Sequence, residues 1–328
     1  MIIRKLVLYI ICLPVIGFAD TTSTLTIYAP DYFVSEWGPG PKIEEAFEKK
    51  CKCDLKFVSG DPLSKLMLEG KSTNADILIG LSSDQVAKAR KLNLLDKNDF
   101  EFSLPQLPIN WDDPTFLPFD WSYVSFIYDN TKITDPPKTF IELANDPRDY
   151  QIIIQDPRTS PSGLALILWI KLIYGEKAFD IWSKLSSKIL TVTKGWSESY
   201  GMFTSGEAEM VLSFITSQAY HEIAENDKTK TALIMDEGHY VYVELAAKIY
   251  KEENKDLSNQ FMEFILTEEF QEIIPMYNWS FPVNLNEENW PLGFQNLPKP
   301  KKSIFINEDS SSEIRKLAIE EWLKAMIR

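Results

Sequence analysis

From residue 24 onward, short apolar strands alternate with helices in an order that few folds accommodate. TLTIYA (24–29), DLKFVS (54–59) and ADILIG (75–80) read as strands. Between them lie the helical segments PKIEEAFEKKC (41–51), opened by Pro41, and LSKLMLEGK, stopped by Gly70; the helix SDQVAKARKLNLL follows the third strand. Strands joined by helices of this length build βαβ units and a mostly parallel sheet. A second series starts at the aromatic strand FLPFDWSYVSFIYD (116–129). It continues through the strand YQIIIQD (150–156), the apolar helix SGLALILWIKLIYG (162–175), the strand AEMVLSF (208–214) and the helix SQAYHEIAE (217–225). TALIMDEGHYVYVELAAKIYK is strand-rich, while LSNQFMEFILTEEFQEII (257–274) and SSEIRKLAIEEWLKAMIR (311–328) carry the i, i+3, i+4 spacing of amphipathic helices. The expectation is two α/β lobes joined by strands, with no floppy tether.

What precedes this alternation is an address. Arg4 and Lys5 lead into an apolar run from Leu6 to Phe18, and Gly17-Phe18-Ala19 places small residues where a signal peptidase cuts. Residues 1–19 therefore read as a secretory signal peptide, with the mature chain starting near Asp20. The run is too short for a membrane span, and Ile10-Ile11 before Cys12 lacks the small residue of a lipidation site. Export in soluble form, not inserted in a membrane, is expected. The formal charge of −14 argues against nucleic acid or an anionic membrane as partner, since both select a basic footprint. In the mature chain only Cys51 and Cys53 remain, as Cys-Lys-Cys; a strained disulfide and two thiols both stay open. With no second cysteine pair and only His221 and His239, a zinc site is not expected.

Open α/β lobes bind ligands beyond the carboxyl ends of their strands. Asp31, Asp61, Asp156, Trp196 and Thr216 fall just past such ends, and two edges facing each other would make a cleft. Trp196 sits in TVTKGWSESYG (191–201), where Lys194-Gly195 turns a strand into a helix. A large apolar ring at that turn either covers its own core or serves as a platform for a ligand. MYNWSFPVN (276–284) presents a second aromatic turn with Trp279, and Tyr220 lies one turn into its helix. Rings converging on one cleft grip flat or cationic ligands, at roughly 0.5–2 kcal/mol per cation–π contact. Ser160-Pro161-Ser162-Gly163 opens an apolar helix after Asp156, and the free N–H groups and hydroxyls of such a terminus suit a phosphate as well as an ordinary cap. Asp31, Asp61, Asp120 and Asp156 could face a cation or accept from an amino group. The chain carries no nucleophile elbow, phosphate loop, zinc-protease helix or dinucleotide fingerprint.

Several blocks occur in collinear order from about residue 24 to the end: W-G-P-G-P, NADILIGL, FLPFDWSYVSFIYD, D-P-R-T-S, K-G-W-S-E, GEAEMVLSFITSQAYH and MYNWSFPVN. Together they resemble the bacterial periplasmic thiamine-binding proteins, the solute receptors of thiamine ABC importers. The resemblance implies a type 2 periplasmic-binding-protein fold, two α/β lobes with a ligand cleft between them and strand hinges near 118–124 and 238–245. It implies discontinuous lobes, 20–120 plus about 243–300 and 121–242 plus about 301–328. The ligand implied is thiamine, its monophosphate or its diphosphate, with no cofactor, no metal and no catalysis. The partners implied are an inner-membrane ABC permease and its ATPase, for a monomeric receptor in the periplasm.

Carried over residue by residue, the resemblance places Trp196, Tyr220 and Trp279 as aromatic walls. It puts Ser160, Pro161 and the segment Phe214, Ile215, Thr216 and Ser217 on the ligand, and adds Asp31 and Asp61. This chain departs from the family pattern in carrying Pro30 before Asp31, Phe214 where the family has tyrosine and Pro161 where it has threonine; the loop before Asp61 is also short. These changes fall on polar contacts more than on stacking ones, so thiamine recognition is expected to survive while phosphate preference shifts. The alternatives are a receptor of the same fold for ferric iron or a polyamine, or an exported hydrolase; iron receptors usually offer adjacent tyrosines, which this chain lacks.

Overall fold

The computed structural model describes residues 23–306 and 308–327, so the leader read at 1–19 lies outside the described residues. Among the described residues the strands are β1 (Thr24–Ala29), β2 (Asp54–Ser59), β3 (Ile77–Ser82), β4 (Leu95–Asp96), β5 (Phe116–Asp129), β6 (Ile152–Gln155), β7 (Ile189–Thr193), β8 (Met210–Phe214), β9 (Lys230–Ala232), β10 (His239–Ile249), β11 (Phe281–Pro282) and β12 (Ser303–Ile304). Their main hydrogen-bonded order is β2-β1-β3-β10-β5-β8-β6-β7. β1 runs parallel to β2 and β3, and β6 runs parallel to β7 and β8. Each parallel trio is the centre of one α/β lobe.

The sheet as a whole is mixed, which corrects the expectation of a mostly parallel one. β10 is antiparallel to both β3 and β5, and β5 is antiparallel to β8. The cause is topological: the chain passes between lobes along single long strands, not through crossover helices, so these strands meet their neighbours head to tail. β5 pairs with β10 over Phe116–Tyr123 and with β8 from Val124 to Tyr128. Both strands are buried almost throughout because both faces are covered.

One core cluster gathers Phe33, Phe47, Phe119 and Phe270 in the first lobe, and another gathers Phe126, Phe140, Trp169 and Trp182 in the second. Ala318, Trp322 and Ala325 of the C-terminal helix (Glu308–Met326) pack into the second. The helix Gly40–Cys51 starts with Pro41 in its first turn and stops where Lys52 turns left-handed at φ 53°. Cys51 and Cys53 form a disulfide, which decides the pairing left open by the sequence.

Two helices differ from expectation. The segment after β3 makes only a 3-10 turn and the short helix Val86–Arg90, because Asn93 takes φ 54° and Leu95–Asp96 joins β10. Likewise 257–274 is broken into Lys255–Ile265 and Glu268–Ile273, since the Thr267 hydroxyl caps the second helix by accepting from the Phe270 N–H.

Candidate functional site

Trp196 is the first residue of the helix Trp196–Thr204, immediately after extended Gly195. The turn is pinned by Thr193 Oγ1 donating to the Gly195 carbonyl at 2.9 Å and by Thr159 Oγ1 donating to the Lys194 carbonyl at 2.7 Å. Its indole lies flat on the Tyr200 ring, 4.6 Å between centroids at 20°, and donates from Nε1 to Ser213 Oγ at 2.8 Å. Thus held, it still leaves 36% of its surface exposed. The ring covers the buried Tyr200 with one face and leaves part of its surface open. It stands, fixed, just past the carboxyl end of β7.

Behind this platform the aromatic contacts continue. Tyr200 meets the His221 ring at 5.8 Å, His221 meets Tyr220 at 5.2 Å, and Tyr220 meets Trp279 edge to face at 5.0 Å. Glu225 orders this row by accepting from Tyr220 OH at 3.0 Å and from His221 Nδ1 at 2.6 Å. A carboxylate only accepts, so Nδ1 carries a proton, and Nε2 meets Tyr200 OH at 2.8 Å. Burial pushes the Tyr200 hydroxyl well up, and burial with the Glu225 carboxylate raises that of Tyr220; both phenols stay neutral. Trp279 ends the π-helical turn Ile274–Asn278 with φ 53°, a conformation that costs a bulky residue on the order of 1–3 kcal/mol. Its indole lies parallel to the Phe294 ring at 6.5 Å. The structure thus brings Trp196, Tyr220 and Trp279 into one chain of rings.

A hydrogen-bond chain joins the same platform to Ser160. Ser160 is the N-cap of the helix Pro161–Tyr174, yet its hydroxyl does not cap; it meets Ser162 Oγ at 2.9 Å. Ser162 donates to Gln155 Oε1 at 2.8 Å, Gln155 Nε2 donates to Ser199 Oγ at 2.5 Å, and Ser199 donates to the Trp196 carbonyl at 2.8 Å. Gly163 is required here, because a Cβ would stand 2.4 Å from the Gln155 carbonyl. Pro161 is exposed at the helix start.

In the segment after β8, Ser217 Oγ meets Ser213 Oγ at 2.8 Å, the hydroxyl that receives the Trp196 N–H. Thr216 Oγ1 meets Ser122 Oγ at 3.1 Å, and the Phe214 ring packs on Tyr242 at 5.1 Å. Ile215 is fully buried in the core, and its N–H donates to the Tyr123 carbonyl at 3.0 Å.

The strand-end carboxylates are otherwise engaged. Asp31, exposed, accepts from Ser59 Oγ. Asp61 is the N-cap of the helix Pro62–Glu69, accepting from the Ser64 N–H at 2.6 Å. Asp156 pairs with Arg158, whose guanidinium holds that carboxyl below its usual range. Asp120, by contrast, lies inside β5, fully buried, directly across from Glu244 on β10, where it faces no solvent cation. Asn278 Nδ2 donates to both carboxylates, to Glu244 Oε2 at 3.0 Å, and Tyr32 OH donates to Glu244 Oε1. Sequence reasoning missed Glu244, Asn278, Glu225, His221 and Tyr200. The available signals were a lone acid within each of two apolar strands and a histidine beside Tyr220.

The fold and the edge of rings define a solute-binding protein. The family model for bacterial extracellular solute-binding proteins matches residues 72–313. The thiamine-binding periplasmic protein of Brucella suis is 41% identical over 314 residues, 94% of this chain and 94% of that protein. The Escherichia coli protein of the same name is 39% identical over 308 residues, 93% of this chain and 94% of that protein. A solved periplasmic thiamin binding protein superposes with a TM-score of 0.88 at 38% identity, covering 94% of this chain and 98% of that one. This chain belongs to the family of the periplasmic thiamine-binding proteins, within the bacterial extracellular solute-binding proteins.

Proposed function

We propose that the chain is a periplasmic receptor that captures thiamine and delivers it to an inner-membrane ABC importer. The observation that carries this reading is the row of rings from Trp196 through Tyr200, His221 and Tyr220 to Trp279, set at strand ends and stiffened by Glu225. Thiamine offers a flat aminopyrimidine and a cationic thiazolium, and such rings stack on the first and present their negative faces to the second. Trp196, Tyr220 and Trp279 are the walls in this reading. Ser160, with Phe214, Ile215, Thr216 and Ser217, holds the hydroxyethyl or phosphate end. Three aromatic contacts supply about 2–6 kcal/mol, against about 12 for a nanomolar complex. Hydrogen bonds and closure of the lobes about β5 and β10 contribute the remainder.

The lobes are 20–120 with about 243–300, and 121–242 with about 301–328; hinges fall at 118–124 and 238–245. The receptor acts as a monomer without cofactor, metal or chemical step, and reaches the periplasm through its leader. No helix among the described residues is long and apolar enough to cross a membrane. Thiamine monophosphate and diphosphate also bind, but Phe214 and Pro161 remove polar contacts, so diphosphate is not preferred. Titration calorimetry with thiamine and its diphosphate tests this reading. No heat with either ligand sinks the assignment, and a much tighter diphosphate sinks the stated preference. Release of intact thiamine from freshly purified protein, read by mass spectrometry, would support a binder over a hydrolase.

A further inference from the structure

Among the described residues, the floor between the lobes carries two acids and no base. Along one face of β5, Leu117 and Phe119 belong to the first lobe's core, while Val124 and Phe126 belong to the second's. On β10, Ala246 and Tyr240 divide the same way. Between these apolar ends the face turns polar: Asp120 and Ser122 on β5, paired in register with Glu244 and Tyr242 on β10. Phe214 and Thr216 touch this strip through Tyr242 and Ser122, so it adjoins the proposed ligand segment.

Asp120 is 0% exposed and Glu244 6%, side by side across two strands. The groups facing them are Tyr32 from the helix after β1, Tyr242 on β10, Ser82 across from Glu244 on β3, Asn278 and Ser280 from the turn before β11, and Pro282 across from Asp120. None is cationic. Two full negative charges in this setting would repel with little solvent to screen them. Asp120 Oδ1 is also buried without a donor among the described residues. A proton held between the two carboxyls removes the repulsion, gives the Asp120 carboxyl a partner in Glu244, and leaves one negative charge for Tyr32 OH and Asn278 Nδ2 to serve. In agreement, burial and the Glu244 carboxylate hold the Asp120 carboxyl well above its ordinary range. Asn278, bonded to both acids, immediately precedes Trp279, whose left-handed backbone needs an anchor.

We propose that Asp120 and Glu244 share a single proton and, through Asn278, act as positioning residues that fix the Trp279 wall of the cleft. Loss of the proton sets two anions opposite each other, the Asn278 bridge yields, and Trp279 leaves its place. Ligand retention therefore weakens as pH rises. The inference rests on the receptor reading for its ligand, though not for its ligand-free consequence.

The experiment compares the wild type with Asp120→Asn, which is permanently in the one-proton state, and with Glu244→Gln as a second variant should the first fail to fold. Thiamine affinity is measured by calorimetry from pH 6 to 9; any change in the ligand itself acts on every protein alike. Relative to the variants, the wild type loses about tenfold for each pH unit beyond its titration. A variant that is merely destabilised would lose affinity equally at every pH. Parallel profiles in wild type and variants, or a flat wild-type profile, overturn the proposal. If the wild type binds no thiamine at pH 7, the receptor reading fails, and thermal unfolding without ligand judges the pair instead. An acid whose value is raised on folding holds more protons in the native state, so stability falls as pH climbs from the ordinary carboxyl range toward the raised value. The wild type should show that fall and Asp120→Asn should not; matching curves count against the pair.

Discussion

Trp196 is held by two contacts that substitutions can separate. Alanine removes the Tyr200 stack and the indole donor to Ser213 together. Trp196→Ala should weaken thiamine binding at least about tenfold, near 1.4 kcal/mol, by calorimetry. Trp196→Phe keeps a ring on Tyr200 but gives up the N–H, so its affinity should fall between wild type and alanine. An alanine variant as tight as the wild type would remove Trp196 from the site. At Gly163 the expected effect is on stability: the added methyl of Gly163→Ala meets the Gln155 carbonyl at 2.4 Å. The overpacking should cost about 1–3 kcal/mol in urea unfolding. Trp196 and Trp279 were legible as candidates because each stands at a turn where a large ring has no local reason to be, and Tyr220 because it lies one helical turn past a strand end. The pairing of Asp120 with Glu244 was not, since a lone acid in a strand looks the same whether it faces water or another acid. Only the register of β5 on β10 tells the two cases apart.

Among the elements, β10 carries a second titrating group of opposite sign. His239 opens the strand with Nδ1 donating to the Val124 carbonyl at 2.8 Å and Nε2 accepting from the Met235 N–H at 2.9 Å. Its ring is buried beside Trp169, and burial pushes its value down to about 4. The unfolded imidazole takes its proton near pH 6.5, so the native state holds fewer protons between those values. The contribution is complete above pH 6.5 and is lost as pH falls toward 4, to a total on the order of 3 kcal/mol. Urea unfolding at pH 7 and 4.5 should show this loss, and His239→Gln should show a shallower one; equal slopes would assign the acid sensitivity elsewhere. Strands such as β5 were readable to the residue because their apolar runs end sharply at Asp129 and Pro114. The helix predicted over 257–274 was not, because the apolar spacing continues through the break while the Thr267 cap is a one-residue signal. The short helix after β3 failed for the converse reason: β10 recruits Leu95–Asp96 from a distance that no local pattern encodes.

At the scale of the molecule, the antiparallel pair β5–β10 decides how the lobes behave together. Two parallel trios were visible in the alternation of strands and helices, but the two strands that unite them were legible only as apolar runs, without a partner or direction. Once paired, they make separate unfolding of the lobes costly. A single buried cluster includes Leu78 and Leu81 of the first trio's β3 with Ile153 and Val211 of the second, and it passes through Trp121, Tyr123, Val241 and Val243 on the shared strands. Opening either lobe alone would strip apolar surface from the other, so thermal unfolding should be one cooperative transition. A ligand held by residues from both lobes then stabilises the whole unit. Thiamine at a hundredfold excess over its Kd adds about 2.7 kcal/mol, which raises the Tm by on the order of 5 °C for a chain of this length. Scanning calorimetry with and without thiamine reads both outcomes. Two transitions, of which thiamine moves only one, would mean that the lobes fold independently and that the rings at 196, 220 and 279 do not act on a common ligand.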